Sequence, residues 1–195
     1  MNRTTFRKFL YPILLLALFS GLAALAFSGR ISNRALFGIA LGLLLLGRII
    51  NYPLRHFYRG LRAFQQQQLE PAEQLFQRFL QDLERRPWIR HLIWWSFGMY
   101  TSNLEAMTYN NLGAIRLRQG EFEAAQPFLQ KAIALDPQYA KPYFNLAIAA
   151  AGLGQREQSG HYFQQAQALG YSGGSFDQFL TAVQEEYALV NAKLS

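Results

Sequence analysis

One stretch of this chain is written twice. Ala106–Tyr139 and Ala140–Gly173 are successive units of 34 residues. Set in register, Tyr109, Leu112, Gly113, Ala125, Leu129, Ala132 and Pro137 fall opposite Tyr143, Leu146, Ala147, Ser159, Phe163, Ala166 and Tyr171. The apolar positions recur at helical spacing within each unit. Gly120 and Gly154 fall where two helices must turn, because glycine accepts a positive φ without a Cβ clash. Gly113, Ala147 and Ala125 are small where the helices of a pair would cross, and Leu129 and Phe163 are large enough to fill the space beside them. A unit of this size cannot bury its apolar face alone, so neighbouring units must stack and share a core.

A helix–turn–helix period of this length resembles the tetratricopeptide (TPR) repeat family. The resemblance covers 106–173 well and the first 52 residues not at all. It implies an all-α fold, a short right-handed α-solenoid whose first helices line a groove for an extended or helical peptide. Carried over by position, the groove is lined by Met107, Asn110, Asn111, Ala114, Leu117 and Arg118 of the first unit. Lys141, Phe144, Asn145, Ile148 and Ala151 follow from the second. Asn111 and Asn145 stand one period apart, and either can hold a peptide's backbone. With Arg118 and Lys141 they resemble part of the clamp for a C-terminal carboxylate, although the usual third basic unit is missing. A competing occupant of the groove is the chain's own terminal helix or its aromatic insert.

Upstream, 53–86 reads as a divergent helix pair of the same kind. Gly60 falls where Gly113 and Ala147 fall later, and Ala72 and Phe76 keep the small–large spacing of a second helix. The segment 87–105 breaks the period. It contains Trp88, Trp94 and Trp95, and a helix apolar on so much of its circumference is expected to be buried, or to meet a membrane or a partner. Over 174–195, Phe176, Phe179, Leu180, Val183, Tyr187 and Val190 lie at helical spacing behind a Ser175/Gln178 capping box, which predicts a capping helix.

The first 52 residues differ in composition. Leu10–Phe27 is apolar almost throughout, and Ala35–Ile50 is a second, shorter apolar run. Together they predict a two-helix transmembrane hairpin over 1–52, with helices at about 9–28 and 35–51. Ala17/Gly21 and Gly38/Gly42 offer close helix packing. A cleavable signal peptide is the alternative for the first run. The net charge of +7 arises on this side. Nine basic residues and no acid precede Glu70, whereas all twelve acids lie at or beyond it. Positive charge that flanks apolar runs points to lipid rather than nucleic acid. Arg3, Arg7 and Lys8 on one flank and Arg48, Arg55, Arg59 and Arg62 on the other predict both termini on the cytoplasmic (or stromal) side of a bacterial inner or thylakoid membrane.

Little in the chain suggests catalysis. Gly170-Tyr-Ser172-Gly-Gly174 has the spacing of a nucleophile elbow, but that motif needs a strand before it and a histidine downstream, and His161 precedes it. His56, His91 and His161 are scattered, the chain lacks cysteine, and no glycine loop carries a phosphate-binding lysine. The expectation is no enzyme, no cofactor, no metal and no small-molecule substrate. The function expected is a membrane-anchored TPR adaptor or assembly factor. It would bind subunits of a membrane protein complex through the groove and the Trp-rich insert. The layout is similar to small TPR proteins of photosystem biogenesis. A constitutive accessory subunit of a large membrane complex is the alternative.

Overall fold

The computed structural model describes residues 32–90 and 103–194 as continuous stretches, with 17, 20, 21 and 24 as isolated positions. Helix α1 spans Asn33–Asn51 and starts on Ser32, whose Oγ accepts the Ala35 N–H at 3.3 Å. A 3-10 turn, Tyr52–Leu54, leads into α2 (Arg55–Gln65) and α3 (Leu69–Arg85). Then come α4 (Leu104–Arg118), α5 (Phe122–Leu135), α6 (Ala140–Gly152), α7 (Arg156–Ala168) and α8 (Phe176–Leu194). Helices α2/α3, α4/α5 and α6/α7 form three pairs stacked in chain order, α4 also touches α6, and α8 rests on α6. This is an all-helical solenoid.

One small–large pairing recurs in every pair. A Cβ on Gly113 would come within 2.6 Å of Leu129 and 3.3 Å of the Ala125 carbonyl. A Cβ on Gly60 would meet the Phe76 ring at 2.9 Å. The third pair uses Ala147 there, opposite Phe163, and adds a hydrogen bond from Ser159 Oγ to the Ala147 carbonyl at 2.8 Å. Helices approach this closely only where one side chain is missing or short, so the repeat of small residues sets the interaxial distance. The turns repeat too. Gly120 and Gly154 have φ of 76° and 73°, while the first turn places Gln67 at φ 61°, where a side chain is strained.

Two caps fasten the frame. Asn103 accepts the N–H groups of Glu105 and Ala106 and donates from Nδ2 to the Leu135 carbonyl, which ties the start of α4 to the end of α5. At α8, the Ser175 N–H donates to Gln178 Oε1 and the Gln178 N–H to Ser175 Oγ, a reciprocal capping box. The core divides along the solenoid. Phe57, Phe76, Phe79, Leu83 and Ile89 are closed off from solvent at one end, and Phe163, Phe179, Leu180, Val183 and Tyr187 cluster at the other.

The transmembrane hairpin requires correction. Among the described residues no helix is long and apolar enough to cross a membrane. The second expected span is α1, and Arg34 and Arg48 interrupt it at both ends. The charge-free part between them is only ~20 Å long at the rise of an α-helix, short of a hydrocarbon core of about 30 Å. The first expected span, at about 9–28, lies outside the described residues apart from those isolated positions. The integral-membrane localisation, and the topology drawn from flanking charge, fall with the hairpin.

Candidate protein-interaction face

Helices α4 and α6 lie side by side, and the residues expected to line a groove are on them. Their second turns bring Asn110 and Asn145 together: Asn145 Nδ2 donates to Asn110 Oδ1 at 2.9 Å. Asn110 is almost fully buried by this contact. Asn111, the next residue, is only 8% exposed, and its Nδ2 is buried with no hydrogen-bond partner. A buried donor without an acceptor costs about 1–3 kcal/mol. Ala114, one turn on, is half-buried and leaves the ridge low.

The basic residues are less available than their types suggest. Arg118 donates from Nη1 to the Phe64 carbonyl and to Gln67 Oε1, both at 3.1 Å, and its guanidinium stacks over the Phe64 ring at 4.0 Å. It therefore binds the first helix pair to the second. Lys141 stands half-buried near the start of α6.

Phe144, Ile148 and Ala151, expected to be open groove residues, are instead packed under α8. Phe144 stacks on Tyr171 with ring centroids 4.1 Å apart and meets Phe179 edge-on at 5.3 Å. At the far end of this contact the Tyr187 ring lies edge-on to Phe122 at 4.9 Å. A Cβ on Gly152 would sit 2.5 Å from the Phe122 ring, so this glycine makes room for the aromatic pair. Burial pushes the Tyr187 phenol up to about 12, with Glu186 adding to the shift and Arg118 opposing it. Of the aromatic insert, Trp88 sits in a short 3-10 turn at 53% exposure, and Trp94 and Trp95 lie outside the described residues.

Sequence reasoning missed the polar braces within and between pairs. Arg116 bonds Glu73 of α3 and also Glu121 at the next turn, and His56 Nδ1 lies 2.8 Å from Asp82 Oδ2 across the first pair. Only the fold brings Arg116 to Glu73 and His56 to Asp82, and no local spacing signals those two contacts. Ser172 is exposed on the non-helical link after α7, away from any strand-to-helix turn, so the elbow geometry does not form there.

Residues 106–139 match the family model for the tetratricopeptide repeat. The chain carries a tetratricopeptide repeat. Mouse tetratricopeptide repeat protein 8 is 36% identical over 58 residues, which is 30% of this chain and 11% of that protein. This chain thus spans about a ninth of the curated relative it matches. Two solved structures share the TPR fold. The first TPR domain of human RPAP3 superimposes with a TM-score of 0.51 at 15% identity, over 73% of this chain and 98% of that one. The first TPR of Spaghetti (RPAP3), bound to the HSP90 peptide SRMEEVD, gives 0.50 at 17% identity, over 70% and 93%. Proteins built on this repeat are in general scaffolds for protein–protein interaction.

Proposed function

We propose that this chain is a protein-interaction adaptor, and that the face formed by α4 and α6 holds a segment of a partner protein. The observation that carries the reading is the Asn111 amide, buried beside the Asn110–Asn145 pair with a donor left over. An extended peptide presents backbone carbonyls at regular intervals, and one of them would satisfy that donor on binding. The similar Spaghetti domain is itself seen with a peptide, which supports a peptide as the class of ligand. Arg118 is already held by Phe64 and Gln67, which favours contact with a partner's backbone over capture of a terminal carboxylate.

The test is Asn111→Ala combined with Asn145→Ala in the full chain, read by capture of partners in a pull-down and by thermal melting. Capture is expected to fall by about tenfold or more, from the loss of two amide contacts of about 1 kcal/mol each. The single change Asn111→Ala is expected to leave the melting temperature unchanged or raised, since it removes an unpaired buried donor. Undiminished capture by a double variant of normal helicity would move the binding site off this face.

A further inference from the structure

Helix α8 is seated on the face just described. It is joined to the solenoid by a non-helical link, Tyr171–Ser175, preceded by Gly170 at φ 90° and containing Gly173 and Gly174. Every other helix from α2 to α7 belongs to a tightly packed pair, whereas among the described residues α8 has no such partner and rests chiefly on α6. Among the described side chains its ion pair to the body, Arg156–Asp177 at 2.9 Å, is exposed on both sides and contributes little. What holds α8 is a single apolar stripe. Phe179, Leu180, Val183 and Tyr187 fit a seat made by Phe144, Ile148 and Phe163, with Phe122 at its end.

This seat has the form of a helix-in-groove site, an apolar trough that takes a ridge of residues at i, i+1, i+4 and i+8. We infer that α8 is an exchangeable occupant of the seat, and that the external occupant is an amphipathic helix of a partner protein with aromatic and branched residues at that spacing. The chemistry of the occupant is given by α8 itself. A ring is needed to meet Phe144 edge-on and lie tilted against Phe163, branched residues to cover Ile148, and a second ring to reach Phe122. Because α8 is tethered, it competes at a high effective concentration, and an external helix sees only the fraction of molecules in which α8 is out. The inference rests on the reading of this face as a partner-binding surface. It adds that part of the surface becomes available only when α8 leaves.

The experiment uses the full chain and a labelled synthetic peptide with the sequence of residues 175–194, followed by fluorescence anisotropy. Hydrogen exchange on the same samples reports α8 and α6 separately. In the unaltered chain α8 amides are expected to exchange faster than those of α6, with weak peptide binding. Phe179→Ala removes an anchor from the internal helix alone and is expected to raise peptide affinity about tenfold. Asp177→Arg leaves the core untouched while it breaks the tie to Arg156 and puts a cation in the first turn of α8. It is expected to raise affinity two- to threefold, which keeps the test alive if Phe179→Ala unfolds. No gain in affinity while α8 amides lose protection would overturn the inference, because an emptied seat would then refuse a helix. Protection of α8 equal to that of α6 in the unaltered chain and both variants would overturn it too, because α8 would be a fixed cap. Either failure leaves the peptide-binding reading intact as long as the Asn111/Asn145 double variant still loses capture.

Discussion

The two ends of the solenoid are built from similar side chains and closed in different ways. At the first pair, Phe57, Phe76 and Phe79 interlock with ring centroids 5.3 to 6.1 Å apart and no exposure. A part-buried His56–Asp82 hydrogen bond and a part-buried Arg116–Glu73 ion pair add to them. At the last pair the aromatic residues are as numerous, but Phe179 and Tyr187 keep 8% exposure, and the Arg156–Asp177 ion pair to α8 lies out in solvent. One end is a core that neighbouring pairs share; the other is a contact between a trough and a tethered helix. Aromatic content alone does not make a core permanent. The number of elements that enclose each ring does.

The sharpest way to break this contrast is at Phe76. Phe76→Ala should leave a cavity beside Gly60 and cost about 3–5 kcal/mol, read as a cooperative loss of the whole thermal transition. If it only loosened α2, the sealed-core description of this end would be wrong.

Alkaline titration asks less of the molecule. The Tyr187 phenol is raised from 10.0 to about 12 in the folded chain, so the neutral form is favoured there. Its contribution is fully present below pH 10 and is lost as pH rises from 10 through about 12. Two pK units correspond to about 2–3 kcal/mol, felt at α8 and its contact with Phe122. Amides of α8 should lose protection over that window before those of α2 and α3, and Tyr187→Phe should remove this component. Simultaneous loss at both ends would erase the distinction.

The smallest effect belongs to Arg156→Gln. An exposed pair of this kind is worth below about 0.5 kcal/mol, so the melting temperature should hold while α8 exchange rises slightly. A drop of several degrees would mean that charge, rather than the apolar stripe, seats α8.

The small–large pairing of Gly113 with Leu129 and of Ala147 with Phe163 was legible in the sequence, since both partners fall inside one period and the period imposes their spacing. The all-helical solenoid followed from that pairing. The Asn110–Asn145 bond was not legible, because it depends on how one unit is rotated against the next, and no residue type encodes that angle. Nor did the apolar spacing of α8 reveal what it covers, since a terminal cap and a groove occupant present the same stripe. The hairpin expectation weighed the apolar runs and underweighed the ends of α1, where Arg34 and Arg48 shorten the usable length. Trp94 and Trp95, chosen for their chemistry, lie outside the described residues.

Gln67 carries a last consequence. Its φ of 61° occupies the position that Gly120 and Gly154 hold in the later turns, and a side chain there costs about 1 kcal/mol in local preference. The same side chain is gripped by Arg118 from the next pair. The first turn is therefore completed by a residue that arrives later along the chain. Its bend is held in the folded chain by α4, whereas the glycine turns need no such help.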